Sequence, residues 1–132
     1  MRSLTLALIL SLSAPAFAES KIAADAHVTD VLLAARVGDV IRNTCPSISA
    51  RMFVVLGAMS DLKAYAIAQG YSEAEVKAFL KDPAEKARIK ALAASYLAKA
   101  GAKEGDVESY CVAGRAEIAA GTLAGSLLRS SQ

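Results

Sequence analysis

"NTCPSISARM", residues 43–52, places Cys45 directly before Pro46, between two long apolar stretches. The residue before a proline is pushed out of the helical region, so a helix arriving from the N-terminal side must break at 44–46. A second helix begins just beyond, with Ser47 available to cap it. The other cysteine, Cys111, stands far downstream in "SYCVAGRAEI", residues 109–118. What these two thiols do depends on where the chain resides.

The first 18 residues, "MRSLTLALILSLSAPAFA", carry Arg2 as the only charge, then an apolar run from Leu4 to Leu12, then Pro15 and the small-x-small ending Ala16-Phe17-Ala18. This is the three-part plan of a secretory signal peptide. The run is too short and too interrupted for a spanning helix, which needs about 20 apolar residues. The expectation is cleavage after Ala18, a periplasmic location, no membrane span after processing and a single domain over 19–132. Removing Arg2 from the 15 Lys and Arg leaves 14 basic against 13 acidic side chains. That balance offers no electrostatic footprint for nucleic acid.

Export favours a structural disulfide between Cys45 and Cys111. A redox centre usually keeps its cysteines close, as in C-x-x-C, and a zinc site needs more ligands than two cysteines and the lone His27 can supply. A bridge closing more than sixty residues contributes about 4 kcal/mol in the chain-entropy account. That is a large share of the 5–15 kcal/mol that holds a typical domain together.

From residue 28 onward, apolar residues recur at spacings of three and four without sustained alternation, so the fold class is all-α, a compact bundle of about five helices. The first helix carries Val28, Leu32, Ala35 and Ile41. The second repeats Ile48, Met52, Val55, Met59, Leu62 and Ala66, with Phe53, Leu56 and Ile67 widening its apolar face. Such a helix reads as the centre of the bundle. Ser72 with Glu75 forms a capping box for a third. Asp82 caps a fourth, with Pro83 at its first position and Glu85 placed to complete a box. Asp106 caps a fifth, and "LAGSLLR" supplies a last helical turn or two. Residues 19–26 read as a loose leader and 130–132 as a frayed end.

Acid–base, nucleophilic and metal chemistry each require a cluster of suitable side chains. None is visible: His27 is alone, and no H-E-x-x-H, G-x-S-x-G or phosphate-cradling loop occurs. The expectation is a non-enzymatic protein without cofactor or metal. Arg115 follows Cys111 by one helical turn, and Tyr110 and Gly114 share the adjacent stripe. If the bridge draws this helix to the "CPSISAR" segment, Arg51 and Arg115 converge with Glu117. Two readings stay open for Arg51, Tyr110, Arg115 and Glu117: a structural ion-pair network, or an anion or peptide pocket floored by the disulfide.

"CPSISARM", "GYSEAEVKAFLKD", "EKARIKALAASYL" and "GDVESYCVAGRAEIAAG" occur in this order. Together they resemble an uncharacterised family of small exported alphaproteobacterial helical proteins, a domain of unknown function, over residues 28–129. The resemblance implies no assigned chemistry. The functional expectation is an exported binding or accessory protein of the periplasm, with a periplasmic protein or peptide as partner. The alternative is a periplasmic stress chaperone, a holdase of the small single-disulfide type. The sequence leaves the oligomeric state open.

Overall fold

The computed structural model describes residues 21–131. The expected signal peptide and cleavage after Ala18 lie outside them. The elements in chain order are α1 (Ala26–Thr44), β1 (Ile48–Ala50), α2 (Met52–Ala68), α3 (Glu73–Lys81), α4 (Pro83–Lys99), α5 (Val107–Ala120), α6 (Leu123–Ser126) and β2 (Leu128–Ser130). The fold is mostly helical, with five long or medium helices, one short one and a two-stranded antiparallel ladder among the described residues.

The centre of the bundle is α1, which corrects the expectation for α2. From Val31 to Ile41 every residue of α1 is buried or half-buried. This helix packs on α4, α5, α6, β1 and α2. Its buried line runs through Val28, Val31, Ala34, Val37, Gly38 and Ile41, so Leu32 and Ala35 stand at its margin. By contrast α2 buries only Leu62 and Ala66, leaving most of the expected core stripe outside. Of the two, α2 is the more apolar in composition, with two charged side chains against four in α1, so contacts distant in sequence, not apolarity, decide which becomes the axis.

Two clusters fill the interior. The larger gathers Val37, Ile41, Ile48, Leu97 and Leu128 around the Cys45–Cys111 disulfide, which forms as expected with its Cα atoms 5.1 Å apart. The smaller joins Ile22 and Val28 to Leu62 and Phe79. Ile22 and Ala23 are buried at 5% and 6%, so the supposed leader belongs to the core from residue 22. Asp25 starts α1 by accepting from the Val28 amide.

Residues 48–50 are a strand, not the first turn of a helix, and Ser47 caps nothing: α2 begins at Met52 without a side-chain cap. The strand pairs with Leu128–Ser130 in the register Ile48↔Ser130, Ser49↔Arg129, Ala50↔Leu128. Arg51 N–H to Leu127 O (2.8 Å) and Ser131 N–H to Ser47 O (2.9 Å) extend the ladder at both ends. The expected frayed terminus is therefore tied down, and "LAGSLLR" divides into α6 and β2. Burial of Ile48 and Leu128 at the same end of the core gives these three-residue strands what their own ladder could not supply.

The local helix starts follow the sequence closely. Ser72 and Glu75 exchange both hydrogen bonds of a capping box, and Asp82 accepts from Ala84 N–H. Asp106 accepts from Ser109 N–H. Glu85 turns away from its expected box position to pair with Arg88 at 2.9 Å. Close packing between α5 and its neighbours needs two glycines: a Cβ on Gly114 would sit 2.5 Å from Ile48 Cδ1, and one on Gly125 would collide with the Glu117 carbonyl.

Candidate functional site

The residues expected around the disulfide are held by separate partners. Glu117, on α5, is 8% exposed. Its carboxyl oxygens accept from the Tyr96 hydroxyl at 2.9 and 3.0 Å and from the Thr122 hydroxyl. Thr122 in turn caps α6 by accepting from Gly125 N–H. This network ties α4, α5 and α6 together. Burial, followed by the Glu117 hydrogen bond, raises the pKa of Tyr96 above the ordinary tyrosine value.

Arg115 pairs with Glu108 earlier on its own helix. Arg51, at the foot of α2, donates to the Ser126 carbonyl at 3.2 Å. Tyr110 is half-buried against the larger core. The disulfide does bring α5 to the end of α1, but the expected convergence of Arg51, Arg115 and Glu117 into one polar cluster does not occur: each answers to a different neighbour. Among the described residues there is no group of three His, Cys, Asp or Glu placed to hold a metal ion. No helix among them is long and apolar enough to cross a membrane. His27 is exposed and lies against the Tyr65 ring, centroids 4.4 Å apart.

The feature that the sequence reading assigned to the core, and the structure leaves outside, is the face of α2. Phe53 is 93% exposed and Leu56 60%, with Met52 and Ile67 also exposed. Phe53, Leu56, Ser60, Lys63 and Ile67 follow one another at spacings of three and four, so they form a stripe along the helix. In its 17 residues α2 has two charged side chains, Asp61 and Lys63, and Lys63 is engaged with Glu73 at 3.2 Å.

The helix is held along its other side. Leu62 and Ala66 pack inward, and the Tyr65 hydroxyl donates to Asp25 at 3.0 Å. That bond raises the pKa of Tyr65, while Asp25 is lowered chiefly by its bond from the Val28 amide. The backbone of Arg51 fixes the foot. Thus α2 is anchored at both ends and presents between them a stripe that is apolar except at Ser60 and Lys63. A warning was present in the sequence: two adjacent apolar lines on one helix are more than a single inward face requires.

The family model described as "Family of unknown function (DUF5333)" matches residues 20–129. The chain belongs to that family. The DUF5333 match takes in every helix, the disulfide and the α2 stripe, and ends within β2. Comparison with curated proteins and with solved structures finds no match.

Proposed function

We propose that this protein is an exported, non-enzymatic binding or accessory protein of the periplasm that docks a partner protein through an apolar helix laid along α2. The observation that carries the reading is the exposure of Phe53 and Leu56 on a helix fixed at both ends. Large apolar side chains grouped on a held surface favour association, because burying each contributes about 1.5–3 kcal/mol. Bulky Phe53 and Ile67 flank smaller Gly57, Ser60 and Ala64, a relief suited to the side of another helix. Arg51 borders this stripe, so one residue of the expected binding surface remains beside it. The signal-peptide pattern supports the periplasmic setting.

The test is crosslinking and recovery from the periplasm with the wild-type chain and with a Phe53→Ser, Leu56→Ser variant. Both positions are exposed, so the variant is expected to melt as the wild type does and to lose a partner recovered in fixed ratio. Recovery of many unrelated unfolded clients would overturn the fixed-partner reading in favour of a holdase. A self-associated wild type separated into monomers by the variant would make the occupant a second copy of this chain and would also overturn it.

A further inference from the structure

We infer that the groove between α1, α3 and α4 binds an amphiphile with an anionic head and an alkyl tail. This site is separate from the α2 stripe. The groove encloses about 430 Å³, within the range of small-molecule sites, about 300–1,000 Å³. Its apolar wall is made by Leu32 of α1, Phe79 and Leu80 of α3 and Ile89 of α4. Phe79 and Ile89 are core residues showing only one edge, so the wall is part of the packed interior and is held in place.

The rim has the opposite character. Arg36 reaches it from α1, and Lys86 and Lys90 reach it from α4. Lys86 and Lys90 are one helical turn apart, where two like charges repel, and neither takes an ion pair among the described residues. The one carboxylate of the lining, Glu85, is occupied by Arg88.

Arg36 has donor capacity to spare. Its Nε is buried without a hydrogen-bond partner, and its one ion pair, to Asp39, is long at 3.5 Å. Asp39 also accepts from Arg42 at 2.7 Å and from Asn43 at 3.2 Å. A buried N–H without an acceptor is unfavourable, and the Arg36 side chain is still 39% exposed, so its outer guanidinium nitrogens can make charge-assisted bonds to a carboxylate or phosphate.

Arg36 and Lys90 also line a second groove of about 350 Å³ that runs along α4 to Tyr110. The head therefore sits at the Arg36–Lys90 junction. The tail takes the first groove, whose wall is the more apolar. An acyl or alkyl chain terminated by a carboxylate or phosphate has this complementarity, whereas a cationic or neutral amphiphile leaves Lys86 and Lys90 unanswered.

Calorimetric titration of the folded, oxidised protein with dodecanoate below its micelle concentration tests the site, with amide chemical shifts to locate it. Saturable one-to-one binding is expected, with shifts around Leu32, Leu80 and Lys90. Dodecyltrimethylammonium and acetate should each bind at least about tenfold more weakly, since one carries the opposite head charge and the other lacks the tail. Lys86→Gln with Lys90→Gln should weaken dodecanoate about tenfold without lowering the melting temperature, and Arg36→Met should do the same. The lysine pair keeps the test intact should Arg36→Met fold poorly.

Dodecyl phosphate in place of dodecanoate distinguishes the two heads; preference for either supports the site. The Phe53→Ser, Leu56→Ser variant should bind dodecanoate normally. Equal binding of the cationic amphiphile, shifts confined to α2, or no saturable binding of either anionic probe would overturn the assignment.

Discussion

Gly114 and Gly57 are both interior helical glycines, and the same substitution should move stability in opposite directions. In Gly114→Ala the added methyl lies 2.5 Å from Ile48 Cδ1 and 2.6 Å from Ile41 Cγ2, where carbon atoms ordinarily rest about 3.5–4.0 Å apart. Both neighbours must retreat by roughly 1 Å. Ile41 is fully buried and Ile48 nearly so. The Ile41 methyl branches at Cβ, where rotation in a helix is restricted to essentially one rotamer.

Overpacking of this kind costs about 1–3 kcal/mol, against which alanine returns about 1 kcal/mol of helix propensity. The expected net loss is about 1 kcal/mol, a fall in Tm of roughly 4 °C for a domain of this size. At Gly57 an added methyl meets nothing within 4 Å, so the propensity term stands alone and Gly57→Ala should gain about 0.5–1 kcal/mol. Urea unfolding followed by circular dichroism measures both. Combining Gly114→Ala with Ile48→Val removes the nearest clashing carbon and should recover at least about 0.5 kcal/mol beyond additivity. If Gly114→Ala stabilises as much as Gly57→Ala, the packing argument for α5 against β1 and α1 fails.

The Cys45–Cys111 bridge spans 66 positions, so replacing both cysteines with serine should lower stability by up to about 4 kcal/mol; an unchanged unfolding midpoint would show that the bridge does not stabilise the fold. Tyr96→Phe leaves the buried Glu117 carboxyl without the hydrogen bond that the Tyr96 hydroxyl shares between its two oxygens and should cost about 1–3 kcal/mol, measured in the same unfolding assay. Because Tyr96 and Tyr65 are raised above the ordinary tyrosine value, their contribution is fully present below about pH 10 and is lost as pH rises through their folded pKa values. Ultraviolet titration should accordingly show tyrosines ionising late, and a single step at the ordinary value would contradict both hydrogen bonds. Asp25 and Glu75 are lowered, chiefly by backbone amides, so their contribution is present above about pH 4 and disappears as pH falls through their folded pKa values. Glu75→Gln should flatten that acid limb, and an unaltered limb would contradict the capping box.

What the sequence disclosed is what nearby atoms determine. The capping box at Ser72 and Glu75, the Asp82-Pro83 start and the Asp106 cap each depend on groups within three residues, and each forms. The disulfide was legible through compartment chemistry. The ladder between β1 and β2 was not, because three-residue strands have no readable period and the partner of Ser49 lies 80 positions away, at Arg129. The composition of α1 and α2 also points the other way, since α2 carries fewer charged side chains than α1. The choice between them as axis follows from α4, α5 and α6 all packing on α1. Of the expected site, Arg51, Tyr110, Arg115 and Glu117 could be named but their partners could not, since those partners are selected by how whole helices pack. The cations of the groove escaped notice for the same reason: Arg36 and Lys90 meet only after α1 and α4 have packed.

The pairing of β2 with β1 also bears on the order in which the protein can fold. Leu128 fills the larger core and Ser131 bonds to Ser47, 84 positions away. Closing so long a loop costs entropy before its contacts offset that cost. The capped helices depend on groups within three residues, so they can form first while the interior stays open at one end. The ladder is then a closing step, and loosening it should unseat Ile48 and Leu128 together.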